Sequence, residues 1–123
     1  LGAIHSLSHP VGAIYNTHHG LTNGVFMPYV LLKNKSAIED RIIALSRYIN
    51  LPKNSFDSFI NWILDLKKEL GIPNTLKELI KDDSKFEEMS EMALKDPSTS
   101  ANPITLDKND FLELYRSSYN GIL

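Results

Sequence analysis

The sequence predicts an all-α protein, a bundle of about seven helices, and three features carry that expectation. Apolar residues recur at helical spacing, strand-like alternation is hard to find, and capping and breaking residues punctuate the apolar runs.

In chain order, Ile4, Leu7, Val11, Ile14 and Tyr15 outline a first helix interrupted by Pro10, and the pattern breaks over Asn16 to Gly20. A second helix is expected from about His19 to Leu32. Its Val25, Phe26, Tyr29, Val30 and Leu32 leave it apolar on most sides, hence buried, and Pro28 should kink it. Three later starts carry capping boxes, in which a hydroxyl accepts from a helical N–H while a Glu reaches back: Ser36 with Glu39, Thr75 with Glu78, and Ser84 with Glu87. Ser36 opens a helix with Ile38, Ile42, Leu45 and Ile49 inward, stopping before Pro52. Asn54 or Ser55 caps the most amphipathic helix. Phe56, Phe59, Ile60, Ile63 and Leu70 form its stripe with Trp62 beside it, and Gly71 and Pro73 end it. Phe56, Phe59 and Trp62 read as core, not pocket. Thr75 to about Lys81 is a short helix and Ser84 to about Lys95 another. Asp107 caps the last, with Phe111, Leu114, Tyr115 and Tyr119 on one side. The Pro-, Ser-, Thr- and Asn-rich Asp96 to Thr105 stretch reads as a loop.

No repeat or linker divides residues 1–123, and 123 residues with 42% apolar content suffice for one domain with a real core. The net charge is -2 with Lys and Arg interspersed among Asp and Glu, so the basic face of a nucleic-acid binder is missing. The absence of Cys removes disulfides and thiolate chemistry, leaving His and carboxylates as the only strong metal ligands. No apolar run approaches the roughly 20 residues of a membrane span, and no basic-flanked signal peptide leads the chain, so a cytoplasmic location is expected. The opening Leu1-Gly2-Ala3-Ile4, without Met or cap, reads as cut from something longer.

All four histidines fall between His5 and His19. His5 and His9 are four apart on a helical segment and so share a face, and the His19-Gly20 step lets a second helix bring another imidazole back toward them. Such a set suits Fe(II) or Zn(II). Ordinary surface or core packing is the competing reading, and no carboxylate lies within the cluster, the nearest in sequence being Glu39 and Asp40.

The run His5-Ser6-Leu7-Ser8-His9-Pro10, Val11-Gly12-Ala13, then His18-His19-Gly20-Leu21-Thr22-Asn23-Gly24-Val25-Phe26-Met27-Pro28-Tyr29-Val30, resembles the C-terminal signature of the iron-containing (group III) alcohol dehydrogenases. The similarity continues through Gly71-Ile72-Pro73, Leu76, Leu79, Ala93, Asp96, Asn102 and Pro103 to Leu114-Tyr115. It implies the helical, metal-binding C-terminal domain of the dehydroquinate-synthase-like fold. It also implies a divalent metal, Fe(II) or alternatively Zn(II), an NAD or NADP cofactor, and a small alcohol or aldehyde substrate in a homo-oligomeric parent. By the resemblance, His5 and His19 are metal ligands, while His9 lies beside nicotinamide and substrate without binding the metal, as the catalytic and cofactor-contacting histidine. His18 falls at a variable position and reads as a surface residue. The family's other Asp and His ligands and its glycine-rich phosphate segment are expected before residue 1, and no GxGxxG occurs in the sequence. The chain alone is therefore expected to be inactive, with its His segment loosened by the loss of partners. Gly24 stands where the family often has Ala, a change read as costing roughly 1 kcal/mol of helix propensity. Two other readings remain: a glycerol-dehydrogenase-type zinc enzyme, disfavoured by Asn23 to Val30, and a free-standing helical module using His5, His9 and His19 for a metal or a protein partner.

Overall fold

The computed structural model describes residues 2–123, and every regular element among them is helical. Six α-helices, α1 (Ala3–Tyr15), α2 (His19–Lys33), α3 (Lys35–Tyr48), α4 (Phe56–Leu70), α5 (Phe86–Lys95) and α6 (Lys108–Asn120), are joined by two 3-10 helices, Leu76–Glu78 and Pro97–Ala101. The all-α expectation holds. The count differs because the Thr75 to Lys81 segment tightens to a single 3-10 turn, with the Glu78 carboxylate accepting from the Thr75 backbone N–H at 3.4 Å.

Packing, not propensity, decides the centre. Leu7 and Val11 of α1, Val25 and Phe26 of α2, Met89 of α5 and Phe111 and Tyr115 of α6 are completely buried in one core. Tyr115 is its hub, stacked on Phe86 at 5.6 Å and edge-on to Phe26 at 5.7 Å. Its hydroxyl donates to the Leu7 carbonyl at 2.7 Å, so the burial leaves no polar atom of the phenol unpaired. Against the expectation of a loose His segment stands the packing of α1 in this core on α2 and α5, with Tyr115 of α6 bonded to its backbone. A smaller second core joins Ile42 of α3 to Phe56, Phe59, Ile60 and Ile63 of α4, flanked by Leu31 and Leu32 of α2.

Local expectations fare unevenly, for identifiable reasons. Ser55 caps α4, accepting from Ser58 N–H at 3.1 Å, and Asp107 caps α6 with Asp110 completing the box. Ser36 caps nothing. Asn34 ends α2 and begins α3 at once, so Ser36 already lies inside the helix, and Glu39 pairs with Lys35 at 3.7 Å. Ser84 instead donates to Asp82 through both N–H and hydroxyl, α5 starts at Phe86, and Glu87 is drawn to Lys108 at 2.9 Å. Pro10 and Pro28 sit within α1 and α2, which remain continuous helices around them.

On α4, Phe56 and Phe59 are core as expected, but Trp62 is 38% exposed and Leu70 65% exposed. The inward position of the last full turn belongs to Lys67. Gly71 closes the helix in the left-handed conformation at φ 71°. Gly24 is more than a weak helix former, because a Cβ there would lie 2.9 Å from the Ile72 Cγ2 methyl. The side chain after the α4 stop occupies the volume an alanine would need. Among the described residues no helix is long and apolar enough to cross a membrane.

Candidate functional site

The site is assembled by the α1–α2 turn. Asn16 ends α1 in the left-handed region at φ 55°, and His18 starts α2 by accepting the Leu21 N–H on Nδ1 at 3.3 Å. That reversal returns His19 to the face of α1 carrying His5 and His9. The three ring centroids form a near-regular triangle: His5 to His9 5.9 Å, His5 to His19 5.4 Å, His9 to His19 5.5 Å. His18, exposed and engaged in its cap, is the one histidine outside the triangle.

The three imidazoles differ in surroundings. His5 is partly buried, and its Nδ1 is shielded from solvent with no hydrogen-bond partner among the described residues. Burial pushes its pKa below the ordinary 6.5, with His19 and His9 adding to the effect, so the ring is a neutral donor at neutral pH. His19 is exposed, and its Nε2 lies 3.1 Å from the Asn23 amide nitrogen one helical turn along α2. His9 is paired through Nδ1 with Asp96 Oδ2 at 2.6 Å.

Asp96 brings to the cluster the carboxylate that the His5 to His19 stretch lacks in sequence. It is 87 residues from His9 in sequence, at the end of α5, within a stretch read as structureless loop. That stretch contains a 3-10 helix, and Asp96 caps it by accepting the Ser98 N–H at 2.8 Å. Asp-Pro followed by Ser/Thr is a helix-start signal that was legible in the sequence; its nearness to His9 was not. Burial alone would raise the Asp96 carboxyl, but hydrogen bonds from His9 and Ser98 outweigh it and hold the pKa below the ordinary value.

Clustered imidazoles, with the buried ring nitrogen of His5 among them, fit a borderline divalent ion in kind. They do not complete a site, since no group of three or more His, Asp or Glu among the described residues is arranged to hold one. His9 engages Asp96 through Nδ1 and His19 engages Asn23 through Nε2, so each keeps its other ring nitrogen.

Comparison with known proteins agrees in extent as well as in type. The model of the Fe-containing alcohol dehydrogenase family, C-terminal, matches residues 1–119. The NADPH-dependent butanol dehydrogenase of Clostridium saccharobutylicum is 33% identical over 98% of this chain, which covers 33% of that protein. Among solved structures, a 1,3-propanediol oxidoreductase superposes with a TM-score of 0.88 at 28% identity, over 97% of this chain and 33% of the other. An iron-containing alcohol dehydrogenase from Thermococcus thioreducens gives 0.86 at 33% identity, over 98% of this chain and 32% of the other. The chain spans about a third of the length of these relatives. With a family match over nearly its whole length and the same helical architecture, the chain belongs to the iron-containing alcohol dehydrogenase family, of which it carries the C-terminal region.

Proposed function

We propose that this chain is the metal-binding part of a nicotinamide-dependent dehydrogenase that interconverts a small alcohol and its aldehyde, with His5 and His19 as two of the metal's ligands and His9 beside substrate and nicotinamide. The observation that carries the reading is the imidazole triangle built by two consecutive helices, which gathers three of the chain's four histidines. A divalent ion, Fe(II) by the family's description and Zn(II) as the alternative, supplies Lewis acidity that polarises a carbonyl or acidifies an alcohol. Held neutral by burial, His5 presents a lone pair at neutral pH without first shedding a proton. His19, on the first turn of α2, is fixed by the turn that precedes it, and Asn23 steadies its ring. On this reading His9, held through Nδ1 by Asp96, keeps its Nε2 for contact with substrate. The remaining ligands, the nucleotide-binding region and most of the substrate pocket belong, on this reading, to the part of the family's length that this chain does not span. The names of the similar butanol and propanediol enzymes favour short primary alcohols and diols, and the former's NADPH dependence favours NADP over NAD as the first cofactor to assay.

The test is elemental analysis and turnover of the native protein with butanol and 1,3-propanediol. His5→Ala and His19→Ala are expected to lose metal and activity together, while His9→Ala keeps its metal and loses turnover. A metal content that falls as far for His9→Ala as for His5→Ala overturns this division of roles.

A further inference from the structure

The Asp96–Asn102 segment runs antiparallel along α1 and touches it every third residue. Ala3 N–H donates to Asn102 Oδ1 at 3.3 Å, the Ser6 and Thr99 hydroxyls meet at 2.7 Å, and His9 Nδ1 meets Asp96 Oδ2 at 2.6 Å. Residues three apart stack along one edge of a 3-10 helix and lie on neighbouring positions of an α-helix face, so the two periodicities sustain the ladder. Each rung is anchored behind. Thr99 donates its single proton to the Ala93 carbonyl at 2.5 Å, so the proton on the middle rung comes from Ser6, whose hydroxyl shares it with the Gly2 carbonyl at 3.2 Å. Asn102 exchanges two hydrogen bonds of 2.9 Å with buried Asn34 at the α2–α3 junction. At the first rung the two carboxylate oxygens of Asp96 have separate partners, Oδ1 taking the Ser98 N–H and Oδ2 facing His9.

We infer that Asp96 is a positioning residue for His9: the strap fixes the carboxylate, and the carboxylate fixes which ring nitrogen of His9 carries the proton and which way the ring faces. An ionised carboxylate only accepts, so His9 Nδ1 must be the N–H and, in the neutral ring, Nε2 holds the lone pair. The plane so fixed lies 14° from that of His19 at 5.5 Å, across the triangle from His5. The value of this arrangement to turnover rests on the dehydrogenase reading; the proton's location on His9 does not.

Asp96→Asn separates the two jobs. Its side-chain oxygen can still accept the Ser98 N–H and keep the cap, while its amide presents a donor to Nδ1 and drives His9 to the Nε2–H tautomer, the logic by which an Asp-to-Asn change disables a Ser-His-Asp triad. Imidazole nitrogen NMR of this chain, at a pH where imidazoles are neutral, should find Nε2 of His9 unprotonated in the unsubstituted protein and protonated in Asp96→Asn. In the native enzyme the same change should lower kcat by about 100-fold or more with the alcohol KM and metal content little altered. Thr99→Val breaks the middle rung and should leave the His9 tautomer unchanged. A His9 carrying its proton on Nε2 in the unsubstituted chain overturns the inference without any variant having to fold. So does an unchanged tautomer in folded Asp96→Asn. Correct tautomers with no dehydrogenase activity would instead count against the proposed function alone.

Discussion

Lys67 occupies a position that its helix would ordinarily give to a leucine. It continues the Phe56, Ile60, Ile63 stripe of α4, is 4% exposed, and its Nζ has no hydrogen-bond partner among the described residues. Burial pushes its ammonium down to about 8 from 10.5, with Glu78 partly holding it up. A folded-state value below the unfolded one means that charging the group opposes folding. Above pH 10.5 the amine is neutral in both states and costs nothing by charge. As the pH falls toward 8 the unfolded chain takes up the proton first, so stability drops, and below 8 the penalty is constant. Lys67→Met is therefore expected to stabilise the protein by about 1–3 kcal/mol at pH 7, with the gain shrinking as the pH rises through 8 to 10.5. Denaturant unfolding across that range measures it, and a gain independent of pH would mean that packing and not charge sets the effect. The histidines teach the same lesson of residue against environment. His5, His9 and His19 carry the same ring, yet an unpartnered nitrogen, a carboxylate and an amide give them three different surroundings among the described residues.

At the scale of elements, the two cores differ in size and in what closes them. α1 is covered by α2, α5, α6 and the 3-10 strap, and Tyr115 bonds to its backbone from across the core. The α3–α4 hairpin rests on α2 through the smaller cluster, and Trp62, Leu66 and Leu70 remain exposed along one edge of α4. Regions with fewer buried contacts open at lower free energy. Amide hydrogen exchange should accordingly be slower at Leu7, Ser8 and Val11 than at Ile60, Ile63 and Leu64. Equal or greater protection in α4 would make the hairpin, not the His-bearing helix, the stable nucleus. Sequence pattern points the other way, since α4 has the clearest amphipathic stripe and α1 is interrupted by Pro10. Amphipathicity records that a helix has an inside, whereas protection depends on how many elements cover it.

The whole molecule offers two imidazoles, His5 and His19, as the proposed ligands, and the proteins it resembles are about three times as long. Two-point capture of an ion is weak because water must fill the other positions and no pre-organised set offsets the loss of hydration. Calorimetric titration of this chain with Zn(II) or Fe(II) near neutral pH should give a Kd weaker than about 1 μM. Tighter binding would mean that the ligand set is complete within these residues and would favour a free-standing metal module. By itself the sequence determined the helical class, the ends of α4, the start of α6, the clustering of its histidines and the family. These rest on short-range chemistry: periodicity, a serine or aspartate at a cap, a glycine in the left-handed region, an ordered run of signature residues. The Ser36 and Ser84 caps were misread for a related reason, since the glutamates that would complete them found Lys35 and Lys108 instead. Only the tertiary structure decided that α1 is packed into the main core, that Ile72 fills the space beside Gly24, that Lys67 and not Leu70 points inward, and that Asp96 belongs to His9. Each of these depends on residues far apart in the chain or on which elements share a face. A carboxylate 87 residues from its imidazole leaves no periodic trace in the sequence, and it becomes a neighbour only when α5 and the strap pack along α1.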